Sequence, residues 1–250
     1  MTWLITHNEF KRVWHSSIAW VLFSIALFVL GLLLLVLLNN FYSDVQAKLV
    51  SLKHAPGLTD LVIAPYLFWV AVVGVFIVPL FAVRSCTEER LQGADLLLSS
   101  APISNVQIIL GKFIALALFA FIFTAVCSSL AFALGYFTAL DYGKIAAACL
   151  GVFLYISSFC AAAIFVAHLT RTPIIATAAI LGLLLVFVML YMSGSAASSS
   201  SELFLYLSNF PHLADMLTGS IDTTHIAYFL LFTLLFLCLS VRNLNHRHSF

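Results

Sequence analysis

The chain is a succession of long apolar blocks separated by short polar ones. Six runs carry no Asp, Glu, Lys or Arg: residues 17–40, 62–83, 113–139, 145–167, 173–193 and 225–241. A bilayer core about 30 Å thick takes about 20 residues at helical rise, so each run is predicted to be a membrane-spanning helix. At that depth no water meets the backbone N–H and C=O groups, and a helix satisfies them within one segment. Pro65, Pro79 and Pro173 fall near predicted helix ends or in first turns, where a missing N–H costs least. The fold class that follows is an all-α membrane protein of six spans, one domain over residues 1–250 without a solenoid repeat.

Three polar or mixed segments have a pattern of their own. Ahead of the first span, Trp3, Phe10 and Trp14 fall near one helical face while Glu9, Lys11, Arg12 and His15 occupy another. This reads either as an amphipathic helix lying in the membrane interface or as an aromatic belt flanking the span, with Trp3 and Trp14 as interfacial anchors in both cases. Between spans two and three, the stretch 84–112 carries Arg84, Glu88, Glu89, Arg90 and Asp95, a leucine run and then Pro102. A helix starting near Thr87 would set Leu91 and Leu98 on one face, and Pro102 would end it. The segment 194–224 opens with a Gly/Ser/Ala-rich stretch and turns apolar through Leu203, Phe204, Leu207 and Phe210. It is too short to span, and reads either as a re-entrant pair of short helices broken near Pro211 or as a loop with an apolar underside.

Composition then narrows the function. With 63% hydrophobic and 8% charged residues the chain lies outside the soluble range, and a net charge of +1 gives nucleic acid nothing to bind. Lys and Arg collect on the cytoplasmic side of membrane proteins. With both termini inside, the inner segments hold Lys11, Arg12, Arg84, Arg90, Lys112, Arg171, Arg242 and Arg247, and the outer ones only Lys48, Lys53 and Lys144. Lys112, at the inner end of span three, is expected to be an interfacial anchor. The first apolar run is longer than the core of a cleaved signal peptide. The five cysteines form no close C-x-x-C pair and the eight histidines no H-x-x-x-H spacing, so no metal site is expected.

Spans free of Asp, Glu, Lys and Arg disfavour an ion-coupled carrier, whose pathway needs charge within the membrane. Intramembrane hydrolysis needs a nucleophile with a base, paired carboxylates or metal ligands, and Ser195 in its Gly-Ser-Ala-Ala context has none of the glycine spacing of a nucleophile elbow. No phosphate-binding P-loop occurs, since Gly111-Lys112 runs into Phe113 and Gly143-Lys144 into Ile145. Catalytic residues are therefore expected to be absent.

Segment 79–113 holds Arg84, Glu88-Glu89-Arg90, Gly93, the leucine run, Ala101-Pro102 and Gly111-Lys112 in that order. Here the chain resembles the type-2 ABC transporter permeases, and within them the branch that includes the gliding-motility permease and the permease of nitrous-oxide reductase maturation. Leu169-Thr170-Arg171-Thr172 and Leu217 to Asp222 continue the likeness, while Ala94-Asp95 departs from the family's Thr-x-Glu pattern. The resemblance implies a permease subunit of an ATP-driven exporter in a bacterial cytoplasmic (inner) membrane. It implies pairing with a second permease, identical or related, and with two separate cytosolic ATPase subunits, which would hold the ATP and Mg that this chain does not bind. It implies ATPase-coupling roles for Arg84, Glu88, Glu89, Arg90, Gly93, Leu97 and Pro102, on a cytosolic coupling helix. A membrane anchor that transmits ATPase force to a motility or envelope machine would have nearly the same sequence. Cargo class and homodimer against heterodimer stay open at this stage, because aromatic-rich spans and small residues such as Ala131 and Gly135 serve internal packing equally well.

Overall fold

A computed structural model describes residues 2–45, 57–91, 104–136, 138, 140–170, 172–196 and 201–247; for residues 44–45, 87–91, 194–196, 201–203 and 246–247 the description is of the backbone. Among the described residues every regular element is helical, and six helices are long and apolar enough to cross a membrane. In chain order the helices are α1 (Thr2–Trp14), α2 (Ser17–Asn40), α3 (Ala64–Leu91), α4 (Asn105–Ala133), α5 (Tyr142–Leu169), α6 (Pro173–Ala196), α7 (Ser201–Leu207), α8 (Asn209–Leu217) and α9 (Thr223–Arg247). The expected all-α architecture of six spans is therefore the observed one, with α2, α3, α4, α5, α6 and α9 as the spans. Wide π-helical turns extend α2 over Phe41–Val45 and lead into α3 over Thr59–Ile63.

Two boundaries differ from the sequence expectation, for one reason. Helix α3 runs without a break to Leu91, so no helix starts near Thr87. Nothing between Pro79 and Gly93 breaks a helix, and Glu, Arg and Leu extend one readily. Helix α4 starts at Asn105, two turns before the apolar run at 113, because the Ser104 hydroxyl accepts the Gln107 N–H and caps it there. A charged residue ends a charge-free run; it does not end a helix.

Helix α5 is the centre of the bundle. Two-thirds of its apolar window is buried, against about one-sixth or less for α2, α6 and α9. Its small and branched residues, Val152, Ile156, Ala161, Ala162, Ala163 and Ala167, are fully covered. Helix α3 approaches at Gly74, where an added Cβ would overlap the Ile156 side chain of α5 and sit 3.1 Å from Phe123 of α4. Tyr66 of α3 donates its hydroxyl to the Cys127 carbonyl of α4 at 2.9 Å. Helix α2 instead exposes Ile18, Val21, Ile25, Phe28, Leu32 and Leu35, a stripe at helical spacing that suits acyl chains.

The segment before the last span folds back into the bundle. Phe210 at the start of α8 packs on Tyr155 of α5 and Phe68 of α3. Further along, Met216 fills the space beside Gly151, and Gly219 lies against Lys144. The stretch from Phe210 to Gly219 thus runs alongside α5 from Tyr155 to Lys144, eleven positions or about 16 Å at helical rise, from well inside the bundle to its end. The break between α7 and α8 is at Ser208, whose hydroxyl accepts the Phe210 N–H, and not near Pro211. Pro211 sits in the first turn of α8, where its missing N–H has no intrahelical partner to lose. Of the four apolar residues singled out in this segment, Phe210 is the one that plugs the bundle; Phe204 and Leu207 face outward, and the Leu203 side chain lies outside the described residues.

The close approach at Gly74 gives the first prediction. Gly74→Leu forces Ile156 and Phe123 apart and is expected to destabilise the bundle by about 1–3 kcal/mol. Gly182→Ala, where nothing lies within reach of an added Cβ, is expected to leave it unchanged. Thermal unfolding of the two variants in one detergent checks this; equal midpoints would show that α3 and α5 are not in tight register.

Candidate functional site

Both described termini lie at the same end of the bundle, and so do the end of α3 and the start of α4. Helix α1 lies across this end. Its inward face is Thr6, Glu9 and Val13, all buried, while Trp3 is 74% exposed. This reverses the expected assignment of Glu9 to a solvated polar face. The reason is a partner far away in sequence: Glu9 Oε1 meets Lys112 Nζ of α4 at 3.0 Å. Lys112 is only 4% exposed, so the sequence expectation of an interfacial anchor is corrected to an inward-facing ion pair.

The other carboxylate oxygen, Glu9 Oε2, accepts the Ser85 hydroxyl of α3 at 2.8 Å and meets Arg12 at 3.1 Å. Arg12 also donates to the Ser85 carbonyl at 2.9 Å. One carboxylate therefore ties α1, α3 and α4 together, with charge on both of its oxygens satisfied. Gly111 beside Lys112 makes room for this, since an added Cβ there would sit 2.8 Å from Ile5 of α1. The turn from α1 to α2 is closed by Trp20, whose indole N–H donates to the Trp14 carbonyl at 2.8 Å. Trp14 itself stacks on Phe10 and meets Trp20 edge-on.

Arg84, exposed, and Glu88, Glu89 and Arg90 stand on the last turns of α3, next to this junction in sequence. The side chains of Glu88, Glu89 and Arg90 lie outside the described residues, as do Gly93, Leu97 and Pro102 altogether. Sequence reasoning missed Glu9 and Ser85 as site residues. The available signal was that Glu9 is the only acidic residue before Asp44, three positions from Arg12.

A second polar cluster closes the opposite end. His212 of α8 is buried, its Nε2 is 3.0 Å from the Tyr206 carbonyl, and its Nδ1 is 2.8 Å from Nδ1 of His225. The carbonyl can only accept, so Nε2 carries the proton and Nδ1 of a neutral His212 accepts from His225. Tyr228 stacks on the His212 ring at 4.1 Å and donates to the Leu207 carbonyl, and Asp215 stands 3.5 Å from Nε2 of His225. Burial pushes the His212 pKa below its ordinary value, with the neighbouring His225 acting in the same direction. Gly219, at φ +96°, turns the chain from α8 toward α9 in a conformation that a side chain would strain.

Six apolar spans around a covered central helix, with an amphipathic helix ionically locked across one end, define a polytopic membrane protein. The chain belongs to the ABC-2 family of transporter proteins, whose family model matches residues 3–246. A comparison with curated proteins finds none that matches significantly. The chain is thus a multi-pass membrane permease subunit of an ABC transporter, a family whose members work with ABC ATPase subunits and are typically non-catalytic themselves.

Two predictions follow from these clusters. Glu9→Gln leaves Lys112 buried without its carboxylate and is expected to cost about 3–5 kcal/mol; the double variant Glu9→Gln/Lys112→Met recovers most of that in thermal unfolding. Additive losses in the double variant would mean that the two groups act independently. At the other end, a lowered folded-state pKa means that His212 contributes stability fully above its ordinary value of 6.5 and loses it as pH falls from there through the folded value. The unfolding midpoint is expected to drop between about pH 7.5 and about pH 5, and His212→Gln to flatten that slope; an unchanged slope in the variant would assign the pH dependence elsewhere.

Proposed function

We propose that the chain is the membrane half of an ABC exporter in a bacterial cytoplasmic (inner) membrane, with both termini in the cytoplasm. Eight of the eleven Lys and Arg residues fall on the side of the termini in this orientation, which supports it. In this reading two permease chains, identical or related, pair with two cytosolic ATPase subunits, and ATP and Mg bind only to those subunits. The segment from Arg84 to Pro102 meets the ATPase, with Glu88, Glu89, Arg90, Gly93 and Leu97 in coupling or bracing roles. Trp3 holds α1 at the headgroup level.

The observation that carries the reading is the carboxylate junction of Glu9. It joins α1, the last turns of α3 and the first turns of α4, the two helices between which the 84–102 stretch is strung. A push delivered to that stretch reaches α3 and α4 directly and α1 through one buried ion pair. Helix α2 follows, because only His15 and Ser16 separate it from α1. The spans are then driven as a unit between two orientations, as a two-state equilibrium biased by the ATPases requires.

The test is co-purification from native membranes with a tagged chain, followed by nucleotide hydrolysis. A Walker-motif ATPase is expected to co-purify with the native chain and to be lost when residues 88–90 are replaced by alanine. Glu89→Ala, assayed with the ATPase present, is expected to lower coupled hydrolysis roughly tenfold, the equivalent of about 1.4 kcal/mol of coupling. Full coupled activity in Glu89→Ala would remove its role, and hydrolysis that drives no movement of cargo would assign the chain to force transmission.

A further inference from the structure

We infer that the chain carries a binding site for one anionic phospholipid, in the groove between α4 and α9 at the end of the bundle that bears the termini. The groove encloses about 640 Å³ and its walls are almost wholly apolar. Ile109 and Leu237 form a buried floor, while Leu110, Leu234 and Cys238 stand exposed along it. At one end of this apolar slot lies a cation, Arg242, and beside it the Asn105 amide donates to the Asn245 side chain at 2.7 Å.

Arg242 is exposed, and it makes no ion pair or hydrogen bond with any described residue. Arg12 and Lys112 at the same end are both committed to Glu9, and Arg242 is the Lys or Arg residue that lines this groove. A guanidinium has five donors in a fixed fork that matches a phosphate, and here the fork stands three residues from the end of an apolar span, where headgroups lie.

The length of the slot selects the rest of the ligand. From Leu234 to Arg242 is eight residues, about 12 Å at helical rise. Half of a hydrocarbon core about 30 Å thick is about 15 Å. The groove therefore runs through one leaflet, from headgroup level toward the midplane, with its charge at the headgroup end. A single acyl chain on a negatively charged glycerophosphate fits that arrangement in charge, polarity and depth. A soluble peptide or a free phosphate has no use for the apolar length. The site rests on the six-span fold and Arg242 alone, so it stands whether or not the coupling scheme proposed above is correct.

The test uses the full chain in detergent, stripped of lipid and titrated with phosphatidylglycerol or phosphatidylcholine of identical acyl chains, with bound lipid counted by native mass spectrometry. Phosphatidylglycerol is expected to be retained in a one-to-one complex in preference to phosphatidylcholine. Arg242→Gln is expected to weaken that retention about tenfold, the usual effect of losing a charge-assisted hydrogen bond. Leu234→Trp, which narrows an exposed wall of the groove, is expected to weaken both lipids alike. Thermal unfolding of each variant, unchanged from the native chain, separates a lost site from a lost fold. Equal retention of the two lipids, or no effect of Arg242→Gln, would overturn the proposal. So would oxidative cross-linking of two chains through Cys238, read in a Cys149→Ser background because Cys149 is only partly covered, since a second copy would then occupy the groove; Cys86, Cys127 and Cys160 are buried and do not confuse that readout.

Discussion

The hydrocarbon core offers no water, and everything else in this protein follows from that. Each backbone group has to be satisfied inside its own helix, and each charge has to sit at an end of the bundle or find an ion of opposite sign. Most charges take the first course. Glu9 and Lys112 take the second, and because a carboxylate removed from water is costly unless both of its oxygens are occupied, Glu9 draws in Arg12 and Ser85 as well. The need of one carboxylate for partners is what brings three helices to one point.

The two ends of the bundle solve the same problem with different chemistry. At the end of the termini the solution is ionic. At the opposite end Lys144 reaches Asp60 at 2.8 Å across a half-exposed gap, and the deeper polar groups are neutral: His212 and Tyr228, held by backbone carbonyls and by ring stacking, and Asn209, whose Oδ1 accepts the Tyr228 hydroxyl. A neutral network tolerates contact with the aromatic cluster of Phe210, Tyr155, Tyr191 and Phe229 beneath it. It also makes this end sensitive to added protons, since a second proton between His212 and His225 sets two N–H groups against each other.

How much of this was legible in the sequence depends on the distance over which each feature is decided. The spans are local: runs such as 173–193 have one way to satisfy their backbones, and reading them required only the absence of charge. Span ends are less local. Phe113 marked the limit of a charge-free run, yet α4 starts at the Ser104 cap, and Lys112 is carried inside the helix because a residue 103 positions earlier neutralises it. Glu9 was read as solvated for the same reason, since in α1 alone it lies on the face of Arg12 and its inward turn depends on Lys112 and Ser85. The re-entrant helices were legible as a pair, but Pro211 drew the break to itself although Ser208, a quieter residue, supplies the cap. The charged last turn of α3 at residues 88–90 was visible from composition; the helix that holds it was expected to start there and instead arrives there from inside the membrane.

These constraints also say how such a bundle can move. Helices α3, α4 and α5 interlock at Gly74, Ile156 and Phe123 without room for sliding, and α8 is keyed into α5 by Met216 at Gly151. Close-packed interfaces of this kind are bistable or rigid and do not deform smoothly. The periphery is different: α2, α6 and α9 face mostly outward, and α2 meets the rest along Ala19, Phe23, Ala26 and Leu30 and through the short turn at His15 and Ser16. A load on α3 and α4 would therefore meet α2 both directly, where Phe23 packs on Phe119 and Phe123, and by way of α1 and Glu9. The helix best placed to change its angle is the one whose lipid-facing stripe, Ile18 to Leu35, lets it do so without uncovering anything polar. In the coupling scheme proposed above, the stroke would pass through this stiff centre and one buried carboxylate to the first span.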